Sequence, residues 1–209
     1  MPFVVAHRAG NDLVGLHEAE ELGVDLVEVD VRLWRGHLEV RHLKTAGPLP
    51  ILWDRWRLAN PFAPRLELRH VLAEARHDTQ LLLDLKGRNA RLADLVLDAL
   101  PEGRPVTVCA RSRTLLEPFA GREHVRLFQS VGSRRQLRAL LRNTDTSLLD
   151  GVSIHERLLD ERVIADLRTR AATVISWPIN SLQRAHELGL LGVHGLISDH
   201  PSLLVGRSA

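Results

Sequence analysis

Short apolar runs rich in β-branched residues recur along the chain, and stretches with apolar positions at helical spacing separate most of them. The runs are FVVAHR (3–8), DLVEVDVRL (25–33), QLLLDLKG (80–87), VTVCAR (106–111), VRLFQS (125–130), GVSIHE (151–156), ATVISWPI (172–179) and HGLISD (194–199). Runs of this length and composition predict strands. The intervening segments LHEAEELG, LRHVLAEAR, RLADLVLDAL, RRQLRALLR, DERVIADLRTRA and SLQRAHELGLLG predict amphipathic helices. Gly23 and Gly192 close two of them, the position where helices favour glycine. Alternation of strand and helix predicts a parallel sheet with helices outside it. Eight such strands predict an α/β fold of the closed (β/α)8 TIM-barrel type. At 209 residues the barrel is compact beside the ~250 typical of that fold. An open, doubly wound sheet is the other arrangement the pattern allows, but no glycine-rich dinucleotide loop accompanies it.

Residues 34–65 break the alternation. GHLEVRHLKTAG reads as a small β extension, and PLPILWDRWRLANPFAPR, rich in Pro and Trp, as an irregular excursion over one end of the barrel. Repeats, low-complexity segments and linkers are absent from the sequence, so residues 1–209 are expected to form a single domain.

The strands are not uniformly apolar, and the exceptions share a face. In LVEVDVR, Val27, Val29 and Val31 point one way while Glu28 and Asp30 point the other. Taken alone, such a pair is a solvated strand face. In a barrel, however, both faces are covered, one by helices and one by the lumen, and the acids then point inward. Two buried carboxylates repel each other unless a cation holds both. LLLDLKG repeats the oddity with Asp84 and Lys86 on one face. Both pairs fall near the C-terminal ends of their strands, where barrel enzymes place their chemistry. Three carboxylates, Glu28, Asp30 and Asp84, make an all-oxygen set suited to Mg²⁺ or Ca²⁺ rather than Zn²⁺. His7 ends the first strand, with Arg8 after it, and His42 follows the second. Two imidazoles beside a metal-bound phosphate suit a general base and a general acid. Arg8 as a fork and Lys86 as a point charge suit phosphate oxygens. His17, His37, His70, His77, His124 and His186 lack such neighbours and read as structural or surface residues.

Composition narrows the partners. A formal charge of +2 is too small to suggest nucleic acid. Only Lys44 and Lys86 are lysines among 28 basic residues, which makes a lysine beside buried acids notable. One cysteine, Cys109, excludes an intrachain disulfide and a cysteine metal cluster, and within VTVCA it reads as a small core residue. No apolar run nears the ~18 residues of a membrane span, and the N-terminus enters a strand at once, so a cytoplasmic protein is expected.

The motifs AHRAG, GVDLVEVDVRL, LEVRH, LLLDLKG and VISWPIN…GLLGVHGLISDHP, in this order from residue 3 to 201, resemble the glycerophosphodiester phosphodiesterase family. The resemblance implies a TIM-type barrel, a divalent cation, and hydrolysis of small glycerophosphodiesters to glycerol 3-phosphate and an alcohol. It implies attack by the glycerol hydroxyl to give a cyclic phosphate that water opens. By motif, His7 and Arg8 match the family's opening His-Arg, and Glu28 and Asp30 its metal-binding Glu-x-Asp. His42 matches the second catalytic histidine, Lys86 the lysine beyond the third metal acid, and Trp177 the aromatic wall of the active site. Asp199 falls in the closing-strand motif. Departures are a replaced Pro-Glu-Asn-Thr stretch, where Asn11 stands as the candidate polar contact, Leu43 in place of an Asp after the second histidine, and Asp84 in place of a Glu. The DLK setting of Asp84 also resembles sphingomyelinase D-like phospholipases, for which Trp53 and Trp56 would offer lipid contacts. A catalytically inactive barrel that binds phosphorylated ligands remains the third alternative.

Overall fold

The computed structural model describes residues 2–45, 52–54, 57–59, 65–143 and 149–206, residues 45, 52–54 and 57–59 by their backbone alone. In chain order the elements are β1 (Phe3–Ala6), α1 (Leu13–Leu22), β2 (Leu26–Trp34), β3 (His37–Val40), β4 (Lys44–Thr45), β5 (Leu52–Asp54), β6 (Arg57–Ala59), α2 (Leu68–Glu74), β7 (Leu81–Leu85) and α3 (Arg91–Ala99). They continue as β8 (Val106–Ala110), β9 (Val125–Val131), α4 (Arg134–Arg142), β10 (Gly151–His155), α5 (Glu161–Arg168), β11 (Thr173–Trp177), α6 (Leu182–Leu190) and β12 (Gly195–Ser198).

Strands β1, β2 and β7 to β12 pair in parallel around a closed ring, because β1 bonds to β12 on one side and to β2 on the other. This is the (β/α)8 barrel that the alternating pattern predicts, and the eight predicted strands are its eight staves. Between β8 and β9 two 3₁₀ turns, Arg113–Leu115 and Glu117–Phe119, replace a helix. Their Leu115, Leu116 and Phe119 are fully buried and cover the barrel wall as a helix would.

The region from residue 34 to 65 is more regular than its composition predicts. A two-residue turn, Arg35 (φ 49°) and Gly36 (φ 88°), folds β3 back on β2, pairing Trp34 with His37 and Val31 with Val40. Positive φ at both turn residues suits the twist of a hairpin. Beyond it, β4, β5 and β6 form a separate antiparallel sheet, so the stretch read as irregular contains two further strands. Trp56 and the side chain of Trp53 lie outside the described residues.

Strand parity sorts the interior into two layers. Outward-facing Val27, Val29, Val31, Leu81, Leu83, Leu85, Val106 and Val108 join Leu16, Val71, Leu92, Val96, Leu140, Ile164 and Leu188 of the helices in one core. Inward-facing Val5, Leu82, Cys109, Phe128, Ile175 and Ile197 plug the lumen. Gly151 is required there, because a Cβ at that position would stand 2.5 Å from Cζ of the buried Phe128 ring. Burial in this plug pushes the Cys109 thiol up, so it stays a neutral packing group. The plug closes the lumen below and leaves only its upper rim, at the C-terminal strand ends, for chemistry. Among the described residues no helix is long and apolar enough to cross a membrane.

Candidate active site

The acids border the apolar plug, Glu28 in register with Leu82 and Asp84 with Cys109. Asp30 and Asp84 are direct partners in the β2–β7 register, and Glu28 lies one inward position below Asp30. All three are buried, and their oxygens lie within 4.8 Å of one another. The Lys86 ammonium bonds to Asp84 Oδ2 and lies 2.8 Å from Asp30 Oδ1. Burial alone would raise Asp30, but the hydrogen bond from His42, the charge and bond of Lys86 and the bond from Asn11 hold it far below the ordinary carboxylate range. Burial would lower Lys86, yet the charges of Asp84, Asp30 and Glu28 raise it instead. Glu28 receives only the weaker pull of the Lys86 and Arg8 charges, with no hydrogen bond from a described residue to help it. Burial first, then the Asp30 charge, pushes its carboxyl up to about 8, and its Oε2 is buried without a hydrogen-bond partner.

This asymmetry bears on a cation. Three carboxylates at this spacing, one with an unpartnered oxygen, supply the hard donor set that Mg²⁺ or Ca²⁺ takes. A buried carboxylate that is costly to ionise in the bare protein is the group a divalent cation relieves. The residues therefore fit a divalent cation held by Glu28, Asp30 and Asp84, with Lys86 completing the charge balance.

Both predicted histidines stand at this cluster, each with a carboxylate on Nδ1. His7 Nδ1 donates to Asp199 Oδ1 at 2.5 Å, and its Nε2 is 3.6 Å from Glu28 Oε2. His42 Nδ1 lies 3.2 Å from Asp30 Oδ2, while its Nε2 faces Arg8 Nη2 at 3.2 Å. A guanidinium can only donate, so His42 Nε2 accepts and the ring proton sits on Nδ1. Burial and the Arg8 charge lower the His7 pKa against the opposing pull of Asp199. Arg8 itself has a left-handed backbone (φ 57°), an uncommon conformation for a residue other than glycine, and its Nε is 3.7 Å from Asp30 Oδ2.

Several supporting contacts were only partly legible. Asn11 brackets Asp30, donating from Nδ2 to Oδ2 at 2.9 Å and accepting from the Asp30 amide at 2.8 Å. Gly10 allows this approach, since a Cβ there would come 2.5 Å from Val29 Cγ2. Arg32 donates to the His42 carbonyl at 3.2 Å, and Arg41 to the carbonyl of Leu43, so backbone contacts brace the segment that lacks an Asp after its histidine. Asp199 is steadied by Asn180, whose Nδ2 donates to Oδ2 at 2.7 Å. The partner of His7 is thus 192 positions away in sequence, and the closing-strand motif signals it without showing that it meets His7.

Trp177 is not among these residues. It stands across the mouth at the end of β11, over the lumen plug, with its ring 4.8 Å from that of His155 at the end of β10. Sequence reasoning passed over His155, although its parity with Gly151 and Ser153 places it on the inward face.

No protein-family model matches the sequence, and neither does any curated relative. Solved structures do match. A phosphodiesterase of Oleispira antarctica, solved with the product sn-glycerol-3-phosphate, is 19% identical with a TM-score of 0.75, over 97% of this chain and 94% of that one. A glycerophosphodiester phosphodiesterase of Thermotoga maritima is 18% identical with a TM-score of 0.77, over 98% and 97%. Another, of Parabacteroides distasonis, is 19% identical with a TM-score of 0.73, over 96% and 93%. At these identities the likeness establishes the shared barrel fold.

Proposed function

We propose that the protein is a divergent glycerophosphodiester phosphodiesterase, a metal-dependent phosphoric diester hydrolase formed by a single domain over residues 1–209. The observation that carries this reading is one cluster at the barrel mouth. It joins two histidines, each with a carboxylate at Nδ1, to three converging acids and two cations, Arg8 and Lys86. The order of the motifs and the shared fold of phosphodiesterases support it.

In this reading Glu28, Asp30 and Asp84 hold a divalent cation, Mg²⁺ or Ca²⁺, which when bound offsets phosphate charge in the transition state. Arg8 exchanges its contact with His42 for phosphate oxygens, and Lys86 adds a point charge from the acid side. His7 is the base. Burial and Arg8 keep its ring neutral, Asp199 takes the Nδ1 proton, and the Nε2 lone pair is left to accept the proton of the glycerol hydroxyl. That hydroxyl oxygen bonds to phosphorus as the ester bond to the alcohol breaks. Once Arg8 has turned to the phosphate, His42 Nε2 is free to take up a proton from solvent, and with Asp30 accepting from its Nδ1 it gives that proton to the departing alkoxide. Water then opens the cyclic phosphate with the roles reversed, leaving glycerol 3-phosphate. Trp177 supplies an apolar wall to the alcohol arm.

The test is hydrolysis of glycerophosphodiesters with added Mg²⁺ or Ca²⁺, read as release of glycerol 3-phosphate. His7→Ala and His42→Ala are each expected to lower turnover by about 10²-fold or more, the range general acid–base groups supply, with unfolding transitions unchanged. Near-normal turnover in either variant would sink the acid–base assignment.

A further inference from the structure

The mouth of the barrel has two unlike halves. Strands β12, β1, β2 and β7 carry the acids, His7, Arg8 and Lys86. The ends of β8 to β11 carry Arg111, Gly132, His155 and Trp177, none of which the proposed chemistry uses apart from the Trp177 wall. A phosphodiester held on the first half must lay its alcohol arm over the second.

Arg111 is built into that second half. It continues the inward parity of Thr107 and Cys109, one step past the last β7–β8 rung, Leu85–Ala110. Its side chain therefore leaves the strand on the lumen side, in the position next to Lys86. Arg111 Nη2 and Trp177 Cη2 lie 3.6 and 3.4 Å from the point where a Cβ on Gly132 would stand, so both border one small gap that glycine leaves open. Arg111 is exposed and makes no hydrogen bond or ion pair with any described residue. The one acid that directly follows these strand ends, Glu156, is taken by Arg184 Nε at 3.1 Å. His155 adds a ring and no free anion; its Nδ1 accepts from the Arg157 amide at 3.2 Å. Among the described residues, the charge on this half of the mouth is thus positive and uncompensated.

We propose that Arg111, which borders the same gap as Trp177, whose ring in turn lies against that of His155, determines specificity at this site by selecting phosphodiesters whose alcohol arm carries an anionic group over those with a choline-type cation. The inference rests on the hydrolase reading above and names its substrate class. Two effects compete at the rings. Aromatic faces attract a quaternary ammonium, by about two- to fivefold at an exposed site. A like charge a few ångströms away opposes it, and an opposite charge there gains, by about tenfold or more at a half-solvated surface. The Coulomb effect is the larger, because Arg111 borders the same gap as Trp177.

The experiment compares kcat/KM for glycerophosphoinositol 4-phosphate, glycerophosphoinositol and glycerophosphocholine, with saturating Mg²⁺ or Ca²⁺. The wild type is expected to favour the phosphorylated arm over choline by about tenfold or more. Arg111→Ala should collapse that ratio, and Arg111→Glu should invert it. Reading a ratio within each variant removes any change in folded fraction. A wild type that prefers choline, or a ratio unmoved by both substitutions, overturns the inference. If no substrate turns over, the hydrolase reading fails separately. The same ratio of dissociation constants, measured by calorimetry with the metal present, then still supports or overturns the role of Arg111.

Discussion

Replacing Glu28 by Gln is expected to stabilise the protein in the presence of EDTA while abolishing turnover. Glu28 is buried, and burial with the Asp30 charge raises its pKa from an ordinary 4.5 to about 8. A group whose folded pKa is raised contributes its full stability below the unfolded value, and that contribution is lost as pH rises through the folded value. Below pH 4.5 the carboxyl is neutral in both states, and Glu and Gln are equivalent. Between 4.5 and about 8 the unfolded chain ionises freely while the folded one resists. With one pKa unit equal to about 1.4 kcal/mol, the cost to the wild type is on the order of 1 kcal/mol at pH 5 and about 3 kcal/mol at pH 7. Above pH 8 it levels off near roughly 5 kcal/mol. An amide of the same shape avoids that cost. In a chain of this size 1 kcal/mol moves the midpoint by about 2–4 °C, so the variant should melt about 6–12 °C higher at pH 7. Thermal unfolding of both proteins in EDTA from pH 5 to pH 9 reads the gap directly. Adding Mg²⁺ or Ca²⁺ should then raise the wild-type midpoint and leave the variant nearly unmoved, since a cation that binds only the folded state stabilises it. A gap that stays flat with pH, or a variant less stable than the wild type, would refute the view of Glu28 as a strained, unpartnered carboxylate.

Asp199→Asn should lower kcat at neutral pH by about 10²-fold or more, because an amide can donate to His7 Nδ1 and move the ring proton onto Nε2, where the base needs a lone pair. Asp199 is substantially exposed, so the midpoint should barely change, and a variant with wild-type kcat would remove Asp199 from the mechanism. Gly151→Ala should destabilise by about 1–3 kcal/mol through overpacking against Phe128, measured by urea unfolding. Adding Phe128→Leu should recover part of that loss by freeing the space. Additive effects in the double variant would mean that the ring does not set the constraint.

The sequence by itself determined what is periodic. Apolar runs alternating with helical stretches define eight staves, and a period of two places Glu28 and Asp30 opposite Val27, Val29 and Val31, whichever way the sheet closes. His7, Arg8, Asp84 and Lys86 were legible for the same reason, as polar residues at the ends of otherwise apolar strands. The β5 and β6 hairpin was not, because Pro and Trp in PLPILWDRWRLANPFAPR obscure any alternation. Only the tertiary structure decided which of these residues meet. Closure of β1 on β12 brings Asp199 to His7, and the β2–β7 register sets Lys86 between Asp30 and Asp84. The β8–β11 rim likewise gathers Arg111, His155 and Trp177 from three separate strands. Parity is a property of a few neighbouring residues. Convergence depends on the stagger and closure of the whole ring, and no local pattern carries that information.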